Sequence, residues 1–221
     1  AEVARAHFGI RFETAAGEHD GFGFDIVDYS AASASITVNM AAGTVTGDAS
    51  VGADTLRGIE VIIGSAYADT YDATGYTAYF ENNPSANAMN GMAFGTRYNT
   101  FEGEAGDDTI IGNGDTRVSY QHASEAVSVN LGQGIAIGGP SVGTDYFTGV
   151  NSVMGSAFAD TLIGGSNYST PGQSSETFYG LGGNDFIDGG PGYDWSDYRL
   201  DGAISVGITV NMADGIVTGD P

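Results

Sequence analysis

The chain has no cysteine and no lysine among its 221 residues, and only five prolines. Without cysteine there is no disulfide, no thiolate nucleophile and no zinc–sulfur centre. Without lysine there is no phosphate-cradling P-loop. All six basic residues are arginine, against 28 acidic ones, for a formal net charge of −22. A surface of that sign excludes nucleic acid, whose phosphates need a basic face, and disfavours anionic membranes. No apolar run approaches a membrane span and no signal peptide opens the sequence, so membrane insertion is not expected and secretion would need another route.

Glycine is what the sequence has in excess, with 36 residues and no collagen period, while hydrophobic content is an ordinary 41%. There is apolar material for a core. A compact body so acidic repels itself unless something neutralises it. A halophilic surface is one answer. Multivalent cations are the better one, because most aspartates sit inside glycine-rich turns.

The chain repeats itself, at long range. SVGADTLRGIEVIIGSAYADTYD (50–72) realigns on SVGTDYFTGVNSVMGSAFADTLI (141–163) with eleven of 23 positions identical and an offset of 91. ITVNMAAGTVTGD (36–48) recurs as VSVNLGQGIAIGG (127–139) and as ITVNMADGIVTGD (208–220). These copies define units of about 25–102, 103–179 and 180–221, preceded by a cap or leading strand in 1–24. The third unit stops at Asp220–Pro221, where the others continue with S-V-G-x-D, so a fragment, a processed product or a longer protein is expected. The inserts 73–100 and 164–176 read as surface loops.

Apolar residues alternate over short stretches bounded by glycine: Ile36, Val38 and Met40; Val127, Val129 and Leu131; Ile208, Val210 and Met212. Such stretches are strands of three to five residues, too short for helices. Phe8, Ile10 and Phe12 alternate likewise and predict a capping strand, with helix conceivable only in 1–7. The fold class is all-β, a stacked coil of short strands.

Between the strands lie glycine–aspartate turns. GLGGNDFID (180–188) and GGPGYDWSD (189–197) are consecutive copies of G-G-x-G-x-D-x-U-x, where U is large and apolar. GEAGDDTII (103–111) is a third. GSAYADTYD (64–72) and GSAFADTLI (155–163) keep the first glycine, the aspartate and U. DGFGFDIVD (20–28) and GNGDTRV (112–118) are partial copies. With these motifs the sequence resembles the RTX, or haemolysin-type, calcium-binding repeat proteins. The V-D-Y-S, V-N-L-x-x-G and G-S-x-x-A-D-T-L segments resemble the spacers of that family, and the likeness covers most of residues 17–220.

The resemblance implies a parallel β-roll with Ca²⁺ held between stacked turns along its edges. Glycine lets such turns curl their carbonyls inward, and Ca²⁺ takes six to eight oxygens in flexible geometry. Carried over by position, Asp108, Asp185 and Asp194 are the carboxylate ligands. The carbonyls of Gly103, Ala105, Gly180, Gly182, Gly189 and Pro191 are the matching turn ligands. Asp69 and Asp160 follow, since Tyr67 and Phe158 replace the family's third glycine, and Asp25 and Asp115 complete the set. The 155–163 turn is expected under 180–188, and 64–72 under 103–111. Ser196 stands where an apolar U belongs, so Trp195 is expected to take over that packing.

Nothing here makes a catalytic set. The three histidines (His7, His19, His122) are scattered, no HExxH or EF-hand spacing occurs, and the chain reads as a non-enzyme. The family likeness implies export unfolded by type I secretion and folding outside the cell. Three uses follow: a structural or adhesive module; an accessory module of an extracellular protease, lipase, or alginate epimerase or lyase; or a calcium-dependent glycan-binding module using Tyr76, Tyr79 and Phe80.

Overall fold

The computed structural model describes residues 11–13, 26–76, 98–165, 175–198, 209–211 and 216–218. Every regular element among them is a strand, most of three residues. The spacing of glycine and of polar turn residues keeps most of them short, while two, Thr109–Ser119 and Thr144–Met154, run 11 residues each.

The strands stack in two columns joined by turns. One column is parallel throughout: β2 (Ile26–Asp28), β6 (Val61–Ile63), β8 (Asn99–Glu102), the second half of β9 (Thr109–Ser119), the second half of β12 (Thr144–Met154), β14 (Thr177–Tyr179) and β16 (Trp195–Ser196). The facing column begins parallel, with β3 (Thr37–Asn39), β7 (Thr70–Asp72) and the first halves of β9 and β12. It closes with β10 (Ser128–Asn130), β13 (Thr161–Ile163) and β15 (Phe186–Asp188), again parallel. A capping strand, β1 (Arg11–Glu13), pairs antiparallel with β2, Phe12 opposite Val27. Phe8, Ile10 and residues 1–7 lie outside the described residues.

The facing column departs from a purely parallel roll. β3 turns back into β4 (Thr44–Thr46), which turns back into β5 (Ala53–Thr55), all antiparallel. The same meander recurs as β10, β11 (Ile135–Ile137) and the first half of β12. Four residues separate β3 from β4, enough for a hairpin and far too few for a parallel crossover. Gly43 makes that hairpin possible, with φ +63 and the Leu56 carbonyl packed where a Cβ would stand. Its repeat-mate Gly134 (φ +66) meets the Phe147 carbonyl in the same way. The third copy, β17 (Thr209–Asn211) and β18 (Ile216–Thr218), forms the same antiparallel pair.

Most of the described three-residue strands bury their middle residue between the columns. Val27, Val38, Val45, Ile62, Tyr71, Leu162 and Phe178 are all buried middle residues. They join one core with Phe101, Ile110, Val118, Val129, Phe147 and Val153. Burying a side chain of this size contributes about 1.5–3 kcal/mol, and Tyr71 stacks on Phe101 with ring centres 4.8 Å apart. The expectation for Trp195 fails: it is 66% exposed on β16, and Ser196 is exposed as well. β16 pairs with β14 alone, so no coil closes over its far side among the described residues.

Candidate metal centre

Five turns of the form Gly-x₄-Asp link one column to the other: 64–69, 103–108, 155–160, 180–185 and 189–194. In each the aspartate folds back over the first glycine. A Cβ on Gly64, Gly103, Gly155, Gly180 or Gly189 would collide with the side chain of Asp69, Asp108, Asp160, Asp185 or Asp194 respectively. Glycine opens these turns because the carboxylate needs its space.

Register places the turns in stacks. Thr70 lies opposite Thr109 and Thr161 opposite Phe186, so 64–69 sits beneath 103–108 and 155–160 beneath 180–185, as the repeat alignment implies. The carbonyl oxygens of Gly103 and Gly180 lie over Gly64 and Gly155, each 3.0 Å from where a Cβ would be. Gly106 and Gly183 rest on the backbone of the turn below, at Tyr67–Ala68 and Phe158–Ala159.

The carboxylates tie the stack together as a ladder. Asp69 N–H donates to Asp108 Oδ1 (2.7 Å), and Asp108 N–H donates to Asp145 Oδ1 (3.0 Å). Asp160 N–H donates to Asp185 Oδ1 (2.9 Å). The backbone N–H groups of Ile36, Val127 and Glu176 donate to Asp69, Asp160 and Asp194 in the same manner. Buried backbone donors require acceptors, and here every acceptor is a side-chain carboxyl oxygen.

Asp108 stands apart. It is fully buried, and its Oδ2 has no hydrogen-bond partner. Burial, and then the charge of Asp145, push its carboxyl up to about 9. Burial raises Asp145 to about 7, although its Oδ2 accepts the Tyr120 hydroxyl at 3.0 Å. An orphaned, buried carboxylate oxygen beside two further buried carboxylates fits a bound cation. Glu104 and Leu181 hold the second position of their turns at φ +63 and +64, a left-handed geometry rare outside glycine. Gly190 does the same at φ +70.

Other candidates fall elsewhere. Asp185 and Asp194 close their turns with Gly182 and Pro191 in the third positions, as does Ala105 beside Asp108. Asp115 lies on the opposite edge, in the turn linking the halves of β9, with its N–H bonded to Asn113 Oδ1. Asp25 lies outside the described residues, as do Tyr79 and Phe80. Tyr76 is no exposed stacking platform: it is buried, its hydroxyl donating to the Ile59 carbonyl.

Sequence reading missed Asp145. Its signal was in the repeat: Asp54 and Asp145 are 91 apart, and so are Tyr29 and Tyr120. Both tyrosines donate to their aspartates. It also missed a cluster of Glu102, Glu104 and His122, whose ligand-type atoms lie within 4.8 Å of one another. His122 Nδ1 is 3.2 Å from the buried Glu102 Oε2, and that hydrogen bond raises the imidazole to about 9. Glu102 also accepts from Ser119 Oγ, Gln121 Nε2 and His122 N–H. Fully engaged and paired with an imidazolium, it anchors the 120–123 turn.

A family model for the RTX calcium-binding nonapeptide repeat (4 copies) matches residues 95–116, 145–167 and 172–195. Those segments contain Asp108, Asp145, Asp160, Asp185 and Asp194. The chain thus carries RTX-type calcium-binding repeats over these segments. Its all-β coil is a β-roll, and the ion its repeats bind is Ca²⁺. No curated protein matches the chain.

The residues present suit that ion. Ca²⁺ is a hard cation that takes carboxylate and carbonyl oxygens, and the 103–108 turn supplies both types without a thiolate or imidazole. When bound, it supplies positive charge where burial otherwise raises the carboxyls of Asp108 and Asp145.

Proposed function

We propose that this chain is a calcium-folded module of a secreted or cell-surface bacterial protein, serving a structural or adhesive role. The observation that carries it is the buried, unpartnered Asp108 Oδ2 within a ladder of carboxylates. Asp108, Asp185 and Asp194 are the carboxylate ligands, with turn carbonyls of Gly103, Ala105, Gly180, Gly182, Gly189 and Pro191 completing the shells.

Coupled folding is the mechanism. In the absence of calcium, a chain of net charge −22 has little to hold its turns closed. Extracellular calcium modules bind at roughly 10⁻⁴–10⁻³ M, so such turns stay empty at cytosolic calcium and fill outside the cell. Binding to the folded state alone stabilises it by about 1.4 kcal/mol per site at tenfold excess over Kd. Several sites together decide whether the roll forms. That difference suits a protein exported as an open chain through a type I secretion channel, whether the parent is an adhesin or an extracellular enzyme.

Small-angle scattering of the full chain tests this reading. An expanded chain in chelator and a compact one in millimolar calcium support it. A chain equally compact in both contradicts it.

A second reading, glycan binding, is favoured by Tyr193 (88% exposed) and Trp195 at the end of the described roll. Aromatic faces of this kind stack on sugars. Glycan-array signal lost on Trp195→Ala is the expected result, and an array without signal removes the reading.

A further inference from the structure

The Gly-x₄-Asp turns are of two kinds, and the difference lies in their second and fourth residues. In 103–108 and 180–185 both positions are left-handed: Glu104 (φ +63) with Gly106 (φ +128), and Leu181 (φ +64) with Gly183 (φ +105). In 64–69 and 155–160 the second residue is serine, the fourth is Tyr67 or Phe158, and none of these has positive φ.

The change of backbone reverses what faces the aspartate. In 64–69, Ser65 N–H donates to Asp69 Oδ2 (2.6 Å) and Ser65 Oγ donates to Asp69 Oδ1 (2.6 Å). Ile36 N–H adds a third bond, to Oδ1 at 2.8 Å. The 155–160 turn repeats this with Ser156 N–H, Ser156 Oγ and Val127 N–H on Asp160. A carboxylate offers about four lone-pair sites, and three are taken by protein donors. The N–H hydrogens aimed at these oxygens also carry positive charge at the point where a cation would approach. Asp108 is the contrast: one donor reaches Oδ1, from Asp69 N–H, and none reaches Oδ2.

We propose that Asp69 and Asp160 hold no calcium. Their turns are closed by their own serines, and calcium is confined to the turns whose second residue is left-handed: 103–108, 180–185 and 189–194. This rests on the calcium reading above and sharpens it. The serine is a covalently attached substitute for the ion, supplying by hydrogen bond the positive charge that the carboxylate needs. Each serine-closed turn lies directly beneath a calcium turn. It is a floor that needs no ion, on which the metal-dependent turn above is laid down. A short rule follows: G-S-x-(aromatic)-x-D marks an ion-free turn, and G-x-x-G-x-D marks a calcium turn.

Counting calcium per full chain, by isothermal titration calorimetry and equilibrium dialysis with calcium alone, tests this. Asp160→Asn is expected to leave the count unchanged and lower the thermal midpoint in saturating calcium. Asp185→Asn is expected to remove one ion. Loss of one ion from Asp160→Asn overturns the proposal. Should Asp160→Asn fail to fold, Ser156→Ala replaces it: an unchanged count with a lowered midpoint supports the proposal, and a lost ion overturns it. The double change Ser156→Gly with Phe158→Gly is expected to add one ion, and a folded variant without the gain overturns the role given to these positions. If the unaltered chain binds no calcium, the calcium reading itself fails, a result distinct from each of these.

Discussion

Asp108 N–H donates to Asp145 Oδ1 at 3.0 Å, fastening a glycine-rich turn to a strand 37 residues further along the chain. Asp145 in turn accepts the Tyr120 hydroxyl. All three residues are buried, and both bonds lie within the 103–179 unit, tying its first turn to its later strands. Losing the Tyr120 hydroxyl leaves a buried carboxylate oxygen without its donor, which costs about 1–3 kcal/mol. Tyr120→Phe is therefore expected to lower the urea midpoint in calcium by a corresponding amount. Tyr146→Phe is the control, since that side chain lies exposed on the outer face, and it should change little.

Glycine positions offer a sharper comparison. Gly106 and Gly114 both have positive φ, +128 and +91. A Cβ on Gly106 would come within 2.6 Å of the Tyr67 backbone, whereas one on Gly114 would meet nothing within 4 Å. Gly114→Ala should thus show backbone strain alone, about 1–3 kcal/mol. Gly106→Ala should cost clearly more and weaken calcium binding, because the stacked turns must separate. Equal effects in chemical unfolding would remove the argument for close stacking.

Protons and calcium compete for the same carboxylates. The folded-state values of Asp108 and Asp145 are about 9 and about 7, both above the ordinary 3.8. Between 3.8 and those values the metal-free fold binds more protons than the unfolded chain. Stability of the chelated protein therefore falls as pH rises through 7 and then 9. The residual strand signal of the calcium-free chain, followed by circular dichroism, should be largest at pH 5 and decline through pH 7 to pH 9. Calcium binding at pH 7 should release protons, seen as a binding enthalpy that depends on the buffer's ionisation heat.

Most three-residue strands give the core their middle side chain. Leu162, fully buried in the middle of β13, bridges the strands above and below it. Leu162→Ala is expected to cost about 2–5 kcal/mol while leaving the calcium count unchanged wherever the protein still folds.

Much of this was legible beforehand, because a nonapeptide fixes both its strand and its turn. The alternation at Ile36, Val38 and Met40 gave a buried face, and the repeat offset gave the stacking of 64–72 under 103–111. The antiparallel meanders were not read. Their cue was the four-residue spacing at Met40–Gly43, which period alone does not interpret. Asp145 was missed because it stands outside any glycine-rich motif, and burial, not spacing, gives it its role.

One substitution pattern shows why local motifs mislead. Asp48 accepts from Ser50 and Ser33 in the first unit. In the second, Gly139 stands in its place, and Glu125 accepts from Ser141 and Ser124, the repeat-mates of those serines. The knot is kept while its carboxylate comes from another point on the chain. A Cβ on Gly139 would press on Glu125, so the exchange is reciprocal. A sequence comparison scores this as two unrelated changes.

Far-ultraviolet circular dichroism of the complete chain, followed while calcium is added and repeated with magnesium, tests the central claim most directly. Cooperative growth of strand signal with calcium, absent with magnesium and blunted by Asp108→Asn, is the result expected. Full strand signal in the presence of excess chelator, unchanged by calcium, would contradict it.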